Sequence, residues 1–504
     1  MNIKRYTTAI LSLLATSLLL GACDILTPTP DPEPTPDPEE KECEATTVKT
    51  YNYPPRIIPS MKYGVTVNGQ NCFVFPCSEP QVATFSADGL VEVKVDTFSE
   101  EIREVVVRPQ GKNHKWRLKN GSVYLYLRPY DQVSVEINGD EKQPLFVFVN
   151  PMEDNKPNPE DENVIYFKEG TLTDVSLLSI SSGTTVYLEG GAVIKGCLQT
   201  TGSRDDYVEN ITIAGCGVID SRDMEGTWGA RLQFCKGLRL ENLLQFNHAG
   251  WSCAVVQCDD AHLYNYKIIA PYNPHNQYGI ENGGISMNAC WDSSVKNCWA
   301  YGHDDAYMIK TRKWGWDRNT KNVTFENCVG WNVEAGNTFE VGYEMLRDVD
   351  NIKFKDIYAI HSGTRNVMRR AAISIHQAAA GKVTNISYEN VHIEDPQEYG
   401  IYLSVMKSGY DIGLAEGEVW TPGVIDGVTF KNVYIYKDAP QGNLILYGYD
   451  GGEHNVNNLV FENFYINGKK ITSWEQSGAK IDSKHGLGSS FKPVLTPSAN
   501  VTFR

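Results

Sequence analysis

The sequence predicts an all-β protein in which an N-terminal β-sandwich is followed by a parallel β-helix. Three observations support this prediction. Short strand-like segments follow one another at intervals of about 8 to 12 residues over the first part of the chain. From about residue 163 a longer motif repeats. No stretch of either part shows the 3.6-residue period of an amphipathic helix.

The N-terminus has the pattern of an exported lipoprotein. Two basic residues precede an apolar run over residues 9–20, and the run ends in Leu-Gly-Ala-Cys, which resembles the lipobox of bacterial lipoproteins. The run is shorter than the roughly 20 residues that span a bilayer. We therefore predict a signal peptide over residues 1–22, lipidation of Cys23, and an acidic, proline-rich linker over residues 23–45.

Composition restricts the class of partner. The chain has 504 residues, of which 41% are hydrophobic and 21% charged, as in ordinary globular proteins. Its 62 acidic and 46 basic residues give a formal net charge of -16. Nucleic acids and anionic membranes attract clustered positive charge, so we exclude nucleic acid and expect membrane contact only through a lipid anchor.

Residues 46–155 are assigned to the β-sandwich. Segments such as LVEVKVDTF, SVYLYLRP and LFVFVNP are separated by turn residues. Twelve cysteines in an exported chain suggest disulfides, but many lie in strand-like runs, where Cys acts as a small buried hydrophobe. We predict core thiols, and leave open a bridge between Cys72 and Cys77. No Cys and His grouping has zinc-ligand spacing, so no metal is expected.

Residues 156–504 are assigned to the β-helix. An apolar–polar–apolar triplet recurs here and ends in Asn or Asp, at intervals of 23 to 42 residues. A period in this range indicates a solenoid or a propeller, and unequal intervals without Trp-Asp motifs favour stacked coils. Asn and Asp suit the turns because they accept left-handed backbone dihedrals. The terminal residues are Asn242, Asn265, Asn297, Asn327, Asp356, Asn390, Asn432 and Asn463.

Three segments of the solenoid carry a resemblance to known enzymes: LEGGAVIKG (188–196), GCGVID (215–220) and GHDDAYMIK (302–310). They resemble the right-handed β-helix glycoside hydrolases of family 28, the polygalacturonases, and family 49, the dextranases and isopullulanase. The resemblance extends from about residue 60 to the end. The order of sandwich and helix, together with GNTFEVGYE (336–344), is similar to family 49 and to bacterial family-28-like proteins. The resemblance implies a right-handed, pectin-lyase-like solenoid that cleaves glycosidic bonds.

The resemblance places the catalytic pair at Asp304 and Asp305, and it matches Lys310 to a lysine that follows the pair in bacterial members. In these families one aspartate protonates the glycosidic oxygen and the other helps to activate water. Hydrolysis through an oxocarbenium-like state requires one protonated and one ionised carboxyl, and crowding two acids drives their pKa values apart. The resemblance also implies inversion at the anomeric carbon.

Two acidic positions of the polygalacturonase pattern are missing. Gly283 stands where the family has a third aspartate, 21 residues before the pair, and Ser286 stands at the second acidic position of that motif. A shift of register would bring Glu281 into the site instead. The family's histidine motif is replaced at Asn337, a candidate substrate contact. These departures put pectin specificity in doubt.

The family's Arg-Ile-Lys motif is absent as well. Arg365, Arg369 or Arg370 lies nearby, and we take Arg365 as the candidate substrate contact.

Glu340 and Glu344 are further acidic candidates. Residues four apart on a strand face the same side, so both carboxylates could line the cleft one coil above the Asp pair. We predict that Glu340 is catalytic and that Glu344 binds substrate. The alternative is a solvated strand face or ion pairs with Arg347 or Lys353.

Three residues beside the pair complete the predicted site. His303 could orient an aspartate or bind a sugar hydroxyl, although a lone histidine is more often structural. Trp314 and Trp316 lie in the loop after the pair, where they could stack on sugar faces.

The leading prediction is a secreted, lipid-anchored glycoside hydrolase of the cell envelope that acts on a polysaccharide as a monomer without a cofactor. One alternative is a polysaccharide lyase on the same architecture, which would need calcium-binding carboxylates and an Arg or Lys base. The other is a non-catalytic surface lipoprotein that binds glycan, which the missing third aspartate favours. The acidic composition favours a neutral or weakly charged polysaccharide.

Overall fold

The computed structural model describes residues 46–224, 228–247, 250–272, 283–313, 315–363, 370–407, 412–449, 454–478 and 501–504. The predicted signal peptide, Cys23 and the linker lie outside these residues. Residues 43–504 belong to one compact unit. The helical segments in the described ranges are two short 3-10 turns, Gln110–Lys112 and Glu475–Ser477, and no helix there is long and apolar enough to cross a membrane.

The first eleven strands form a sandwich of two sheets. They are β1 (Val48–Thr50), β2 (Tyr63–Val67), β3 (Gln70–Cys72), β4 (Val74–Phe75), β5 (Gln81–Ala87), β6 (Val91–Thr97), β7 (Val105–Arg108), β8 (Lys115–Lys119), β9 (Ser122–Leu127), β10 (Gln132–Ile137) and β11 (Leu145–Asn150). One sheet has the order β1-β5-β11-β10-β7, with β4 beside β5, and the other has the order β3-β2-β6-β9-β8. Alternate residues point into the core between the sheets: Val91, Val93 and Val95 of β6 are fully buried and their neighbours are not.

The remaining strands form the solenoid. Its first half consists of β12 (Val164–Phe167), β13 (Leu172–Ile180), β14 (Thr185–Leu188), β15 (Val193–Thr200), β16 (Val208–Gly215), β17 (Val218–Ser221), β18 (Ala230–Gln233), β19 (Cys235–Glu241), β20 (Leu244–Asn247), β21 (Cys253–Val256), β22 (Asp259–Tyr264), β23 (Lys267–Ile269), β24 (Ile285–Asn288), β25 (Trp291–Lys296) and β26 (Trp299–Gly302). Its second half consists of β27 (Tyr307–Ile309), β28 (Arg312–Lys313), β29 (Trp316–Asp317), β30 (Thr320–Glu326), β31 (Val329–Asn332), β32 (Phe339–Tyr343), β33 (Val349–Ser362), β34 (Ala371–Gln377), β35 (Lys382–Ile393), β36 (Tyr399–Val405), β37 (Val424–Ile435), β38 (Gly442–Tyr447), β39 (Val456–Ile466), β40 (Lys469–Ile471) and β41 (Val501–Phe503).

Each coil of the solenoid adds one parallel strand to each of three faces. Face 1 contains β14, β16, β19, β22, β25 and β30, and it continues through the first parts of β33, β35, β37 and β39. Face 2 contains β17, β20, β23, β26 and β31, and it continues through the last parts of the same long strands. Face 3 contains β18, β21, β24, β27, β32, β34, β36 and β38. The predicted fold class, a sandwich followed by a parallel β-helix, is confirmed.

The Asn and Asp residues of the repeat occupy the predicted turns. All eight terminal residues have positive φ, between 52° and 64°. Their side chains also form a ladder from coil to coil: Asn432 Nδ2 donates to Asn390 Oδ1 at 2.9 Å, and Asn463 Nδ2 donates to Asn432 Oδ1 at 3.0 Å. The repeated Asn and Asp residues therefore have two roles: they adopt the left-handed turn, and their side chains join neighbouring coils.

Inward side chains of the coils stack in columns. One column consists of aromatic rings whose centroids are 4.7 to 5.0 Å apart, and its members are Phe325, Phe354, Tyr388, Phe430, Phe461 and Phe503. Parallel strands in register place like residues above one another, so the column follows from the repeat.

The sandwich packs on the outer side of face 2. Phe146 contacts Trp299 with ring centroids 4.9 Å apart, and both side chains are fully buried. Polar contacts join the same surfaces, since the buried Lys267 donates to Asn150 Oδ1 of the sandwich at 2.6 Å. Face 2 is therefore an interior surface.

The described cysteines are all free thiols. The bridge between Cys72 and Cys77 that the sequence left open is not formed. Cys72 lies in the core of the sandwich, whereas Cys77 packs against the aromatic cluster that faces the solenoid. The two side chains point into different cores, and most of the other cysteines are buried as predicted.

Candidate active site

The Asp pair lies at the start of a face 3 strand. Asp304 and Asp305 are separated by Ala306 from β27, which is bonded on one side to β24 and on the other to β32. Asp305 O accepts the N–H of Gly284 at 2.9 Å, and the next residue, Ala306, donates its N–H to Asn337 O at 2.9 Å. Neighbouring coils therefore fix the backbone of the pair on both sides.

Asp305 is the buried member of the pair. Only 6% of the residue is exposed, and its Oδ1 accepts the backbone N–H of Asn337 at 2.7 Å and the side-chain amide of the same residue at 3.3 Å. Burial raises the pKa of Asp305 well above its ordinary value, and the charges of Asp304 and Glu340 raise it further against the opposing charge of Lys310. The carboxyl is thus suited to hold a proton at neutral pH.

Asp304 is partly exposed and lies against a glycine. Its Oδ1 accepts the N–H of Asp305 at 2.8 Å. Gly336 has φ of +70°, and a β-carbon there would stand 2.4 Å from Asp304 Oδ1 and 2.7 Å from Asp305 Oδ1. Only glycine leaves room for both carboxyls at this point.

Gly283, which stands where the resemblance led us to expect a third aspartate, is also sterically restricted. A β-carbon on this residue would lie 2.9 Å from Asp305 O and 2.8 Å from the Cε of Met308. A longer side chain would therefore displace the strand that carries the pair. Ser286 is fully buried beside Asn288, whose Nδ2 donates to its hydroxyl.

Lys310 and Glu344 form a buried ion pair. Lys310 Nζ donates to the Glu344 carboxylate and to Gly342 O, the latter at 3.0 Å. Burial lowers the pKa of Lys310, but the charges of Glu344 and Asp305 outweigh burial and raise it above its ordinary value. Glu344 therefore pairs with Lys310, a partner that neither reading of the sequence proposed.

Glu340 points outward from face 3 in the coil after the pair, as predicted, but it is fully buried. Its carboxylate accepts the hydroxyl of Ser374 and contacts His376 Nδ1 at 3.0 Å. The ring of Tyr343 lies parallel to that of His376, with centroids 4.7 Å apart. Glu340 thus acts on Asp305 through its charge, since its oxygens are held by two other side chains.

His303 is next to the pair in the sequence, but its ring forms hydrogen bonds to two glutamates. Its Nε2 lies 2.9 Å from Glu79 of the sandwich, and its Nδ1 lies 3.2 Å from Glu334. It lines a cavity between the sandwich and the solenoid.

The sequence named Arg370 as one of three arginines near the site, but it did not point to Glu398. The Arg370 side chain is buried, and its Nε and Nη1 have no hydrogen-bond partner in the described ranges. Burial lowers its pKa, although Glu398, Glu334 and Asp304 act in the opposite direction. Burial raises the pKa of Glu398 to about 6. The sequence offered only an Arg-rich segment near the site, since Glu398 lies more than ninety residues after the pair.

Trp316, one of the two residues of the predicted tryptophan platform, is covered. Trp316 is 1% exposed and packs with Trp251 and the partly buried Trp228. It belongs to the two-stranded hairpin of β28 and β29. Trp314, Glu281 and Arg365 lie outside the described residues.

One group of metal-ligand type occurs in the described part of the chain, and it includes neither aspartate of the pair. Glu141, His361 and Asp395 place ligand atoms within 4.8 Å of one another. Both ring nitrogens of His361 are already engaged, at 2.7 Å from Asp395 and at 3.0 Å from Glu136. His361 and Asp395 thus belong to an ion-pair network that joins the solenoid to Glu136 of the sandwich.

The sequence and the fold match those of known enzymes. The family model of glycosyl hydrolases family 28 matches residues 168–480. "Probable endopolygalacturonase D" of Neosartorya fischeri is 24% identical over 185 residues, which are 37% of this chain and 35% of that protein. The match thus spans about a third of the relative's length.

Solved structures are similar to this chain at low sequence identity. Dex49A from Penicillium minioluteum is 12% identical, with a TM-score of 0.53, over 90% of this chain and 96% of that one. The family 28 exopolygalacturonase of Yersinia enterocolitica is 10% identical, with a TM-score of 0.44, over 75% of this chain and 89% of that one. The family model covers more than half of the chain and includes the Asp pair and every strand of face 3. The protein belongs to glycosyl hydrolases family 28, and the predicted class of β-helix glycoside hydrolase is confirmed.

Proposed function

We propose that the protein hydrolyses glycosidic bonds of a polysaccharide, with Asp305 as the general acid and Asp304 as the base. The observation that carries this proposal is that the two aspartates have different environments. Burial and neighbouring carboxylates raise the pKa of Asp305, whereas Asp304 keeps contact with solvent. Glycoside hydrolysis needs one carboxyl that holds a proton and one that accepts a proton.

The reaction proceeds in one displacement. Asp305 donates its proton to the glycosidic oxygen while the bond from that oxygen to the anomeric carbon breaks. A water molecule attacks the anomeric carbon, and Asp304 accepts the proton that the water loses. Proton exchange with solvent restores both carboxyls.

The neighbours of Asp305 balance its two protonation states. The charge of Glu340 favours the protonated acid before the reaction, while Lys310 and the N–H of Asn337 stabilise the carboxylate that forms afterwards. Asn337 and Lys310 are therefore positioning residues in this mechanism, and Glu340 acts through its charge.

Replacement of each aspartate tests the two roles. We expect Asp305→Asn and Asp304→Asn each to lower turnover of a cleaved polysaccharide by a factor on the order of 10² or more. Asp305→Asn should regain activity on an aryl glycoside whose leaving group needs no proton. Asp304→Asn should regain activity with azide, which replaces the activated water. The opposite pattern of rescue would exchange the roles, and near wild-type turnover in both folded variants would refute the proposal.

Inversion is part of the proposal. Glu340 is held by Ser374 and His376, and Glu344 is held by Lys310, so neither is free to attack the anomeric carbon. With Asp304 assigned as the base, water is then the nucleophile. Proton NMR of the first product should show the anomer opposite to the substrate linkage. Retention would assign Asp304 as the nucleophile, which the close approach of the two Oδ1 atoms to Gly336 would permit.

We also propose that the enzyme is anchored to the cell envelope through a lipid on Cys23, as the sequence predicts. Cys23→Ser should move the active protein from the membrane fraction to the soluble fraction. Cys77→Ser is the matched control and should stay with the membrane. A Cys23→Ser protein that remains in the membrane fraction would refute the anchor.

A further inference from the structure

Glu79 connects the sandwich to two successive coils of the solenoid beside the Asp pair. Its Oε2 accepts the backbone N–H of Tyr272 at 3.0 Å and the hydroxyl of Tyr301 at 3.1 Å, and it lies 2.9 Å from His303 Nε2. Tyr272 follows β23, whereas Tyr301 lies in β26 of the next coil and His303 directly follows that strand. One carboxyl group of the sandwich therefore fixes the ends of two neighbouring face 2 strands.

Glu79 is suited to this contact because it is ionised. Burial raises its pKa, but the hydrogen bond and the charge of His303 outweigh burial and leave the pKa below its ordinary value. An ionised carboxylate accepts hydrogen bonds and donates none, so His303 Nε2 is the donor. Hydrogen bonds to a charged acceptor are stronger than those between neutral groups, so the contact restrains the histidine ring.

The second ring nitrogen of His303 is held by the coil that follows. Its Nδ1 lies 3.2 Å from Glu334, and only 3% of the residue is exposed. Glu334 lies two residues before Gly336, which packs against the carboxyls of both aspartates, and Asn337 then donates to Asp305. The ring of His303 is therefore fixed between the sandwich and the segment that contacts the pair.

The position of His303 matters because Asp304, the proposed base, is the next residue. The solenoid holds both backbone carbonyls: His303 O accepts the N–H of Ala335 at 2.7 Å, and Asp304 O accepts Asn332 Nδ2 at 2.7 Å. The His303 ring adds a separate attachment that reaches the sandwich. Catalytic groups work only in a narrow range of positions, and a displacement of about 1 Å can lower the rate by a factor on the order of 10².

We propose that Glu79 is a positioning residue for catalysis, which holds Asp304 in place through the ring of His303. The inference deepens the proposed function and rests on it for the role of Asp304 as the base. The sandwich then contributes to turnover as well as to stability, because a residue between β4 and β5 fixes the catalytic segment. Glu79 acts on the reaction only through His303.

Steady-state kinetics of Glu79→Ala test the proposal on a panel of plant and microbial polysaccharides that includes polygalacturonate and dextran. We expect kcat on a cleaved polysaccharide to fall about tenfold and KM to change less than about twofold, because the variant misplaces the base and leaves substrate contacts intact. Glu79→Gln keeps an acceptor for the same donors and should retain kcat within about threefold. Glu79 borders a cavity of about 710 Å³, where water can replace the shortened side chain, so both variants should fold.

Gln132→Ala is the matched control. Gln132 of the sandwich contacts the same two coils at the opposite end of face 2, where its Nε2 donates to Asn265 Oδ1 at 3.0 Å and to Asn297 O at 2.7 Å. Because Gln132 is fully buried, its replacement should lower the melting temperature at least as much as Glu79→Ala but leave kcat unchanged. Equal losses of kcat in the two variants would assign the effect to a general loosening of the interface and overturn the proposal.

A double-mutant cycle tests the route through His303. His303→Ala should lower kcat about as much as Glu79→Ala, and the double variant should show no further loss. Losses that multiply in the double variant would mean that Glu79 acts by another route. That result would overturn the proposal, as would a Glu79→Ala protein with the kcat of wild type.

Failure of this inference can be told apart from failure of the proposed function. Cleavage that Asp304→Asn lowers by a factor on the order of 10² and Glu79→Ala leaves unchanged would keep the proposed function and refute only the positioning role. A wild-type protein that cleaves no polysaccharide of the panel would refute both.

Discussion

Faces 2 and 3 of the solenoid share one alternation of side chains but present different chemistry on their outer sides. On face 2 the outward residues are mostly apolar, such as Phe246 and Trp299, and the sandwich covers them. On face 3 the outward residues include Lys310, Glu340 and His376, which are all buried. Lys310 donates to Glu344, and His376 contacts Glu340.

The difference shows where stability and function reside in this fold. Apolar contact between the sandwich and face 2 stabilises the fold by removing surface from water. Buried charges on face 3 cost desolvation free energy, which ion pairs such as that of Lys310 and Glu344 offset. Substitutions on face 2 should therefore change unfolding free energy most, and substitutions on face 3 should change catalysis most.

The largest expected change in stability comes from face 2. Trp299→Ala should lower the free energy of unfolding by about 3–5 kcal/mol, because the ring is fully buried against Phe146 and Phe148. Trp116→Ala, which removes a ring that is 38% exposed on the sandwich, should cost no more than about 0.5 kcal/mol. Chemical denaturation of both variants compares them. Equal losses would mean that the sandwich contributes little through face 2.

A polar contact of the same interface should make stability depend on pH. Burial lowers the pKa of His361, but Asp395 and Glu136 outweigh burial and raise it from 6.5 to about 9. The charged histidine then contributes stability that is fully present below pH 6.5 and is lost as the pH rises through about 9. The stability difference between wild type and His361→Gln should shrink over that window. A difference that is constant from pH 6 to pH 9.5 would contradict the raised pKa.

On face 3 we expect a change in the pH profile of catalysis. Glu340→Gln removes a negative charge that raises the pKa of Asp305, so the acid should lose its proton at lower pH. The basic limb of the pH–rate profile should therefore move to lower pH, while the variant keeps its fold because glutamine can still accept from Ser374. Loss of all activity at every pH would indicate that Glu340 takes part directly in the chemistry, as the sequence predicted.

The smallest expected effect lies in the turns between the faces. Asn432→Ala should cost about 1–2 kcal/mol, because alanine is strained at a φ of +54° and the ladder bonds to Asn390 and Asn463 are lost. Asn432→Gly loses the same bonds without that strain and should cost less. Thermal unfolding measures both, and equal costs would assign the whole effect to the ladder.

Much of the fold could be predicted because it depends on neighbours in the chain. The alternation of apolar residues predicted the strands, because it shows which side chains face the core. The terminal Asn and Asp residues predicted the turns, because a turn depends on the dihedrals of single residues. The Asp pair was likewise identified within one short segment.

The surroundings of the pair could not be predicted in the same way. The amide of Asn337 and the charge of Glu340 reach Asp305 from the next coil, about thirty residues further on, and the length of each coil decides which residues lie opposite one another. The sequence also suggested an exposed Trp316, whereas packing with Trp251 covers it.

The sequence by itself determined the solenoid, its turns and the acidic pair, because each follows from the preferences of adjacent residues. Only the tertiary structure decided that the sandwich covers face 2 and that Glu79 meets His303 more than two hundred residues away. These contacts depend on how two separately folded surfaces dock. Docking depends on the shape and charge of whole surfaces, which no local pattern of residues encodes.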